Sequence, residues 1–126
     1  MRRTVLIVLA VPAIAGAVYA EPILSPGRRF SEQTGEALYA NACQACHMGN
    51  GEGAIGAGRY PPLARNPKLE TGAYVVHVVL HGQKAMPPFA RLMIDEQVAA
   101  VTTYVRTHFG NAYDEPVTAE DVGKSR

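Results

Sequence analysis

The sequence predicts an all-α domain with a helix near each end and long loops between them. Three observations predict it. Apolar residues recur at helical spacing in three segments. No long stretch alternates apolar and polar residues as a half-buried strand would. Residues 49–67 are so rich in Gly and Pro that no regular element is expected there. With 126 residues, 48% of them hydrophobic and 18% charged, the chain holds one domain of ordinary globular composition.

The first twenty residues stand apart from that domain. Arg2 and Arg3 precede an apolar stretch from Thr4 to Val18, and Val18-Tyr19-Ala20 ends on a small residue. This is the layout of a secretory signal peptide, with cleavage expected after Ala20. The rival is an uncleaved membrane anchor. The apolar run is shorter than the roughly 20 residues that span a bilayer, and Pro12 and Gly16 interrupt it. Losing Arg2 and Arg3 leaves ten basic residues against eleven acidic ones, so the charge moves from +1 to −1. Such a balance gives no field for nucleic-acid binding.

Residues 21–30 hold Pro22, Pro26 and Gly27 and read as an extended leader. A first helix is expected over about 31–42, with Ser31 as its cap and Glu32 and Glu36 near its positive end. A second is expected over 72–81, capped by Thr71 and stopped by Gly82, with Tyr74, Val75, Val78 and Val79 as its apolar stripe. Residues 83–89 (Gln-Lys-Ala-Met-Pro-Pro-Phe) read as a loop. A last helix is expected over 95–109, ending at Gly110, with Val98, Val101, Tyr104 and Val105 on one face. The domain thus spans 31–110, and 111–126 is an aperiodic, mildly acidic tail.

The chemistry is carried by Cys43-Gln44-Ala45-Cys46-His47. C-x-x-C-H is the pattern of covalent haem c attachment. Two thiols add to the two vinyl groups of haem, and the histidine that follows supplies an imidazole to the iron. Three other readings compete. A disulfide would close a loop too short to stabilise much. A thioredoxin-like dithiol motif usually follows a strand, and no strand is expected before Cys43. Zinc held by Cys43, Cys46, His77 and His81 needs a gap far longer than zinc-finger patterns allow. A long loop in a small domain also calls for a functional reason, and wrapping a large cofactor is one.

C-x-x-C-H near the start of a domain of about a hundred residues resembles the class I cytochromes c, and the resemblance covers roughly 31–110. It implies a fold in which N- and C-terminal helices cross. Gly35 and Tyr39 are similar to the small-then-aromatic pair of that family's first helix, with Val101 and Tyr104 as their partners on the last. Ordinary core packing accounts for the same four residues. The resemblance implies His47 as proximal iron ligand and Met86, 39 positions later, as distal ligand, held by Pro87 and Pro88. Independently, a thioether is a soft ligand, and Met/His ligation raises the haem potential. His77, His81 and an open sixth site are the alternatives. Met48 adjoins His47 and cannot reach the far face, and Met93 reads as core.

The stretch Tyr60-Pro61-Pro62-Leu63 resembles the family's proline–leucine loop, with Pro61, or else Pro62, offering the carbonyl that holds the proximal imidazole. Tyr60, Leu63, Leu69, Tyr74 and Phe89 are expected against the porphyrin edge, and Arg59 and Arg65 are candidates for its propionates. The chain departs from the family at Ile94, where a Ser or Thr cap is usual, so Asp95 is the substitute candidate. The resemblance implies a periplasmic one-electron carrier rather than an enzyme. It would be fed by an exported dehydrogenase and would pass electrons to a terminal oxidase or another cytochrome. It would have no nucleic-acid partner, and no membrane contact unless the signal segment stays as an anchor. A five-coordinate haem enzyme or gas sensor, and a zinc or dithiol module, are the rival functions.

Overall fold

In the computed structural model, residues 29–56 and 58–126 are described. The signal segment 1–20 and the leader up to residue 28 lie outside the described residues. The helix entering the cysteine motif is α1 (Gly35–Leu38), one π-helical turn (Tyr39–Cys43) and α2 (Gln44–His47), joined end to end. It starts at Gly35 rather than at Ser31. Thr34 is the cap, and its side chain accepts from the Ala37 N–H at 3.3 Å. In the π turn the Gln44 N–H reaches back five residues to the Tyr39 carbonyl. Single π turns inside helices concentrate at functional sites, and this one opens directly onto the Cys43–His47 motif.

The Gly-rich stretch holds a hairpin too short to be read in sequence: β1 (Ala54–Ile55) pairs antiparallel with β2 (Arg59–Tyr60). A 3₁₀ turn, Pro67–Glu70, follows, capped by the Asn66 side chain. Helix α3 (Gly72–His81) has the expected bounds, although the Thr71 side chain makes no capping bond. Helix α4 (Asp95–Thr107) ends two residues earlier than expected, because Phe109 and Gly110 turn to φ +59° and +77°. Asp95 does not cap α4. Gln97 closes that end instead: its Oε1 accepts from the Ile94 N–H at 3.0 Å. The acidic tail is not featureless. Helix α5 (Ala119–Gly123) forms there, capped by reciprocal bonds between Thr118 and Asp121, and buries Val122 completely.

The core is where α1 crosses α4 and α3 packs beside it. Leu38, Tyr39, Val75, Val76, Leu80, Val98, Val101 and Val105 are all buried there. The crossing depends on Gly35, since a Cβ at that position would lie 2.5 Å from the Tyr104 Cβ and 3.0 Å from the Ala100 carbonyl carbon. Only a residue without a side chain lets the two backbones approach so closely. Three buried polar side chains tie the loops to α4. Gln97 Nε2 donates to the carbonyls of Phe30 and Glu32, each at 2.8 Å. Asn111 donates to those of Leu63 and Val105, and Arg106 to those of Leu69, Glu70 and Glu115.

Candidate functional site

The packing leaves a cavity of about 780 Å³ between the cysteine motif, the 59–69 loop, α3 and the Met86 loop, with Val101 and Val105 of α4 behind it. That is the upper part of the range for cofactor sites. Its lining is mainly apolar. Cys43, Cys46, His47, Tyr60, Pro61, Leu63, Leu69, Tyr74, Met86 and Phe89 all reach it.

One wall is built around His47, which is nearly buried at 7% exposure. Its Nδ1 lies 3.0 Å from the Pro61 carbonyl oxygen. A carbonyl can only accept, so Nδ1 carries the proton and Nε2 keeps its lone pair. The neighbouring Pro62 carbonyl is engaged elsewhere, accepting from Asn66 Nδ2 at 2.7 Å. The approach of Pro61 to His47 is fixed by two glycines at positive φ. Gly53 (φ +68°) donates its N–H to the His47 carbonyl, and a Cβ on it would meet the Pro61–Pro62 peptide at 2.8 Å. The carbonyl of Gly51 (φ +67°) accepts from both Leu63 and Ala64. Met48 takes φ +66° and ψ +167°, a conformation that is nearly exclusive to glycine, and the Tyr39 hydroxyl donates to its carbonyl at 2.6 Å.

Cys43 and Cys46 are not bonded to each other. Burial, with a smaller contribution from the charge on Cys46, pushes the Cys43 thiol up to about 12. Zinc binding and dithiol exchange both work through a thiolate, so this environment suits neither. It does not hinder thioether formation to an apolar group in the cavity.

The facing loop is closed by a tight turn, with the Gln83 N–H to the Met86 carbonyl at 3.1 Å and the Met86 N–H to the Gln83 carbonyl at 3.0 Å. Lys84 occupies its left-handed position at φ +55°. The Phe89 and Ala90 N–H groups bond back to Val79 and Leu80 of α3, which fixes the loop against the cavity wall. The donor set fits haem c: two thiols in register, an imidazole with a free Nε2, and a thioether on a separate loop, all on one apolar cavity.

Several sequence-derived candidates lie elsewhere. His77 and His81 are exposed, with ring centroids 4.6 Å apart and tilted by 50°, and lie outside the cavity, with His81 Nε2 donating to the Ser125 carbonyl. No three His, Cys, Asp or Glu side chains gather as a metal site among the described residues, so the zinc set does not assemble. Met93 is core, at 3% exposure. Arg59 lines the cavity mouth, whereas Arg65 lies against Gly110 and does not. Sequence reasoning missed Lys68 and Lys84 at the same mouth, where isolated lysines carry no pattern. It also missed that Val101 and Val105 form the back wall, which their i, i+4 spacing toward the loops could have signalled.

The profile of the family described as cytochrome c oxidase, cbb3-type, subunit III matches residues 31–105. The cytochrome c subunit of quinone alcohol dehydrogenase from Gluconacetobacter polyoxogenes is 34% identical over 105 residues, which is 73% of this chain and 22% of that one. Cytochrome c-552 of Thermus thermophilus is 33% identical over 125 residues, covering 82% of each chain. Cytochrome c6 of Thermostichus vulcanus is 32% identical over 102 residues, covering 77% of this chain and 87% of the relative. The chain therefore spans about a fifth of the length of the alcohol dehydrogenase subunits and most of the length of the small cytochromes.

Proposed function

We propose that this chain, which belongs to the class I cytochrome c family and carries electrons on one haem c, attaches the haem through Cys43 and Cys46 and ligates its iron with His47 and Met86. The observation that carries the proposal is one cavity lined by all four side chains. The haem supplies a one-electron ferric/ferrous couple. Pro61 holds His47 in the tautomer that offers Nε2, and Tyr60, Leu63 and Phe89 exclude water from the site. With Met86 as sixth ligand, no substrate reaches the iron, and transfer is outer-sphere.

The proposed donor is an exported dehydrogenase and the acceptor a terminal oxidase or another cytochrome. The donor reading is supported by relatives named as the cytochrome c subunits of quinone alcohol dehydrogenase and of gluconate 2-dehydrogenase. The proposed location is the periplasm, after cleavage at Ala20. No helix among the described residues is long and apolar enough to cross a membrane. A reduced-minus-oxidised spectrum of the purified protein, with carbon monoxide added to the reduced sample, tests the site. A c-type α-band unmoved by carbon monoxide is expected, and a shifted Soret band refutes Met86 ligation. A haem stain after denaturing electrophoresis should vanish on C43S/C46S, and persistence of the stain refutes covalent attachment there. The mass of the periplasmic protein tests cleavage.

A further inference from the structure

We propose that Arg106 is a positioning residue for electron transfer that raises the haem's reduction potential, by holding an unneutralised positive charge directly behind the cavity wall. Its side chain is 2% exposed. Nε donates to the Leu69 carbonyl and Nη2 to the Glu70 carbonyl, both at 2.9 Å, and Nη1 donates to the Glu115 carbonyl. All three acceptors are neutral. Among the described residues the ion pairs are Lys124–Glu120 and Arg126–Asp95, and no carboxylate reaches Arg106. A buried charge is normally paired, so this arrangement needs an explanation.

The position supplies one. Leu69, whose carbonyl takes the Nε hydrogen bond, lines the cavity, and so does Val105, the residue before Arg106. The guanidinium therefore lies one residue behind the surface that meets the haem. A guanidinium keeps its charge, and the low-dielectric interior transmits that charge with little screening. Reduction adds an electron to the iron, and a nearby fixed cation favours the reduced state. Arg59, Lys68 and Lys84 also reach the cavity, but they are exposed and salt weakens their influence. Arg106 is sealed in by Gly72 and Val117. A Cβ on Gly72 would lie 3.3 Å from Arg106 Nη1 and 2.8 Å from Val117 Cγ2, so Arg106 and Val117 crowd the same point.

The inference rests on the haem reading, and potentiometric titration of the purified holoprotein at low and high salt separates the two. Wild type, R106M, R106K and V117D are compared. V117D adds a carboxylate next to the guanidinium and leaves Arg106 itself unchanged. R106M and V117D should each shift the one-electron equilibrium about tenfold toward the oxidised form, about 59 mV, and equally at both salt concentrations. R106K should stay near wild type. A carbon-monoxide-insensitive α-band in each variant shows that the site is intact. The inference is overturned if R106M keeps the wild-type potential, or if R106K falls as far as R106M, since the hydrogen bonds and not the charge would then matter. If R106M does not accumulate as holoprotein, V117D decides, and an unchanged potential overturns the inference. A wild-type protein without c-type bands refutes the haem reading instead.

Discussion

Replacing Gly35 with alanine should weaken the helix crossing that closes the domain, although alanine is the better helix former. The two effects oppose each other, and magnitudes decide between them. The propensity gain is at most about 1 kcal/mol, and less in the first turn, where Gly35 sits. Against it, the new Cβ would stand 2.5 Å from the Tyr104 Cβ and closer still to the Ala100 carbonyl oxygen, where ordinary contact begins at 3.4 Å. Ala100 contributes backbone, which cannot swing aside as a flexible side chain would. The two helices must part by roughly an ångström, and overpacking of this kind costs about 1–3 kcal/mol. The net loss should be about 1–2 kcal/mol. At about 4–8 °C per kcal/mol for a domain of this size, the thermal midpoint should fall by about 5–15 °C. Thermal unfolding of the oxidised holoprotein, followed by helical circular dichroism, measures it. Gly58→Ala is the control, because its Cβ would meet nothing within 4 Å. A G35A midpoint at or above wild type would refute the close-approach argument.

Met86→Ala should lower the reduction potential and let carbon monoxide bind the reduced iron, whereas an unchanged potential with no binding would remove Met86 from the coordination sphere. Asn111→Ala should cost about 2–3 kcal/mol in denaturant unfolding, because it strands the Leu63 and Val105 carbonyls and the Asn66 N–H. Tyr39→Phe should cost about 1 kcal/mol at neutral pH by removing the bond to the Met48 carbonyl. It should also change the alkaline limb of the stability profile. Burial pushes the Tyr39 hydroxyl from 10.0 up to about 12, so the folded state holds the proton more tightly than the unfolded one. That contribution is complete below pH 10 and is lost as pH rises through about 12. The wild type should lose stability across this window, and a parallel loss in Y39F would assign the slope to another group.

The chemistry was legible because its residue types and spacing are fixed by the ligand. Cys43, Cys46 and His47 sit in a five-residue pattern, and Met86, the proposed sixth ligand, is followed by two prolines. Helix α3 was legible to the residue because Gly82 terminates it at φ +72°. The misplaced boundaries have local causes. Ser31 and Thr34 are both competent caps, and the choice between them follows from Gln97, which binds the carbonyls of Phe30 and Glu32 and holds that stretch extended. Helix α5 escaped notice because a five-residue helix with one buried valine carries no period.

What holds the site together left no trace in the pattern, and the reason is physical. Arg106, Asn111 and Gln97 act on backbone carbonyls, and every residue has one, so no partner type marks the contact in sequence. The two sides of the cavity are held by such contacts in similar ways. On the His47 side, Gly51, Gly53, Pro61 and Asn111 interlock a loop whose glycine conformations admit no substitute. On the Met86 side, Gly82 at φ +72° closes on the Met86–Pro88 backbone in the same way, and the Phe89 and Ala90 N–H groups bond to the end of α3. The loop that carries Met86, like the one that carries Pro61, is therefore fixed by a glycine and by backbone bonds that mark no partner residue in the sequence.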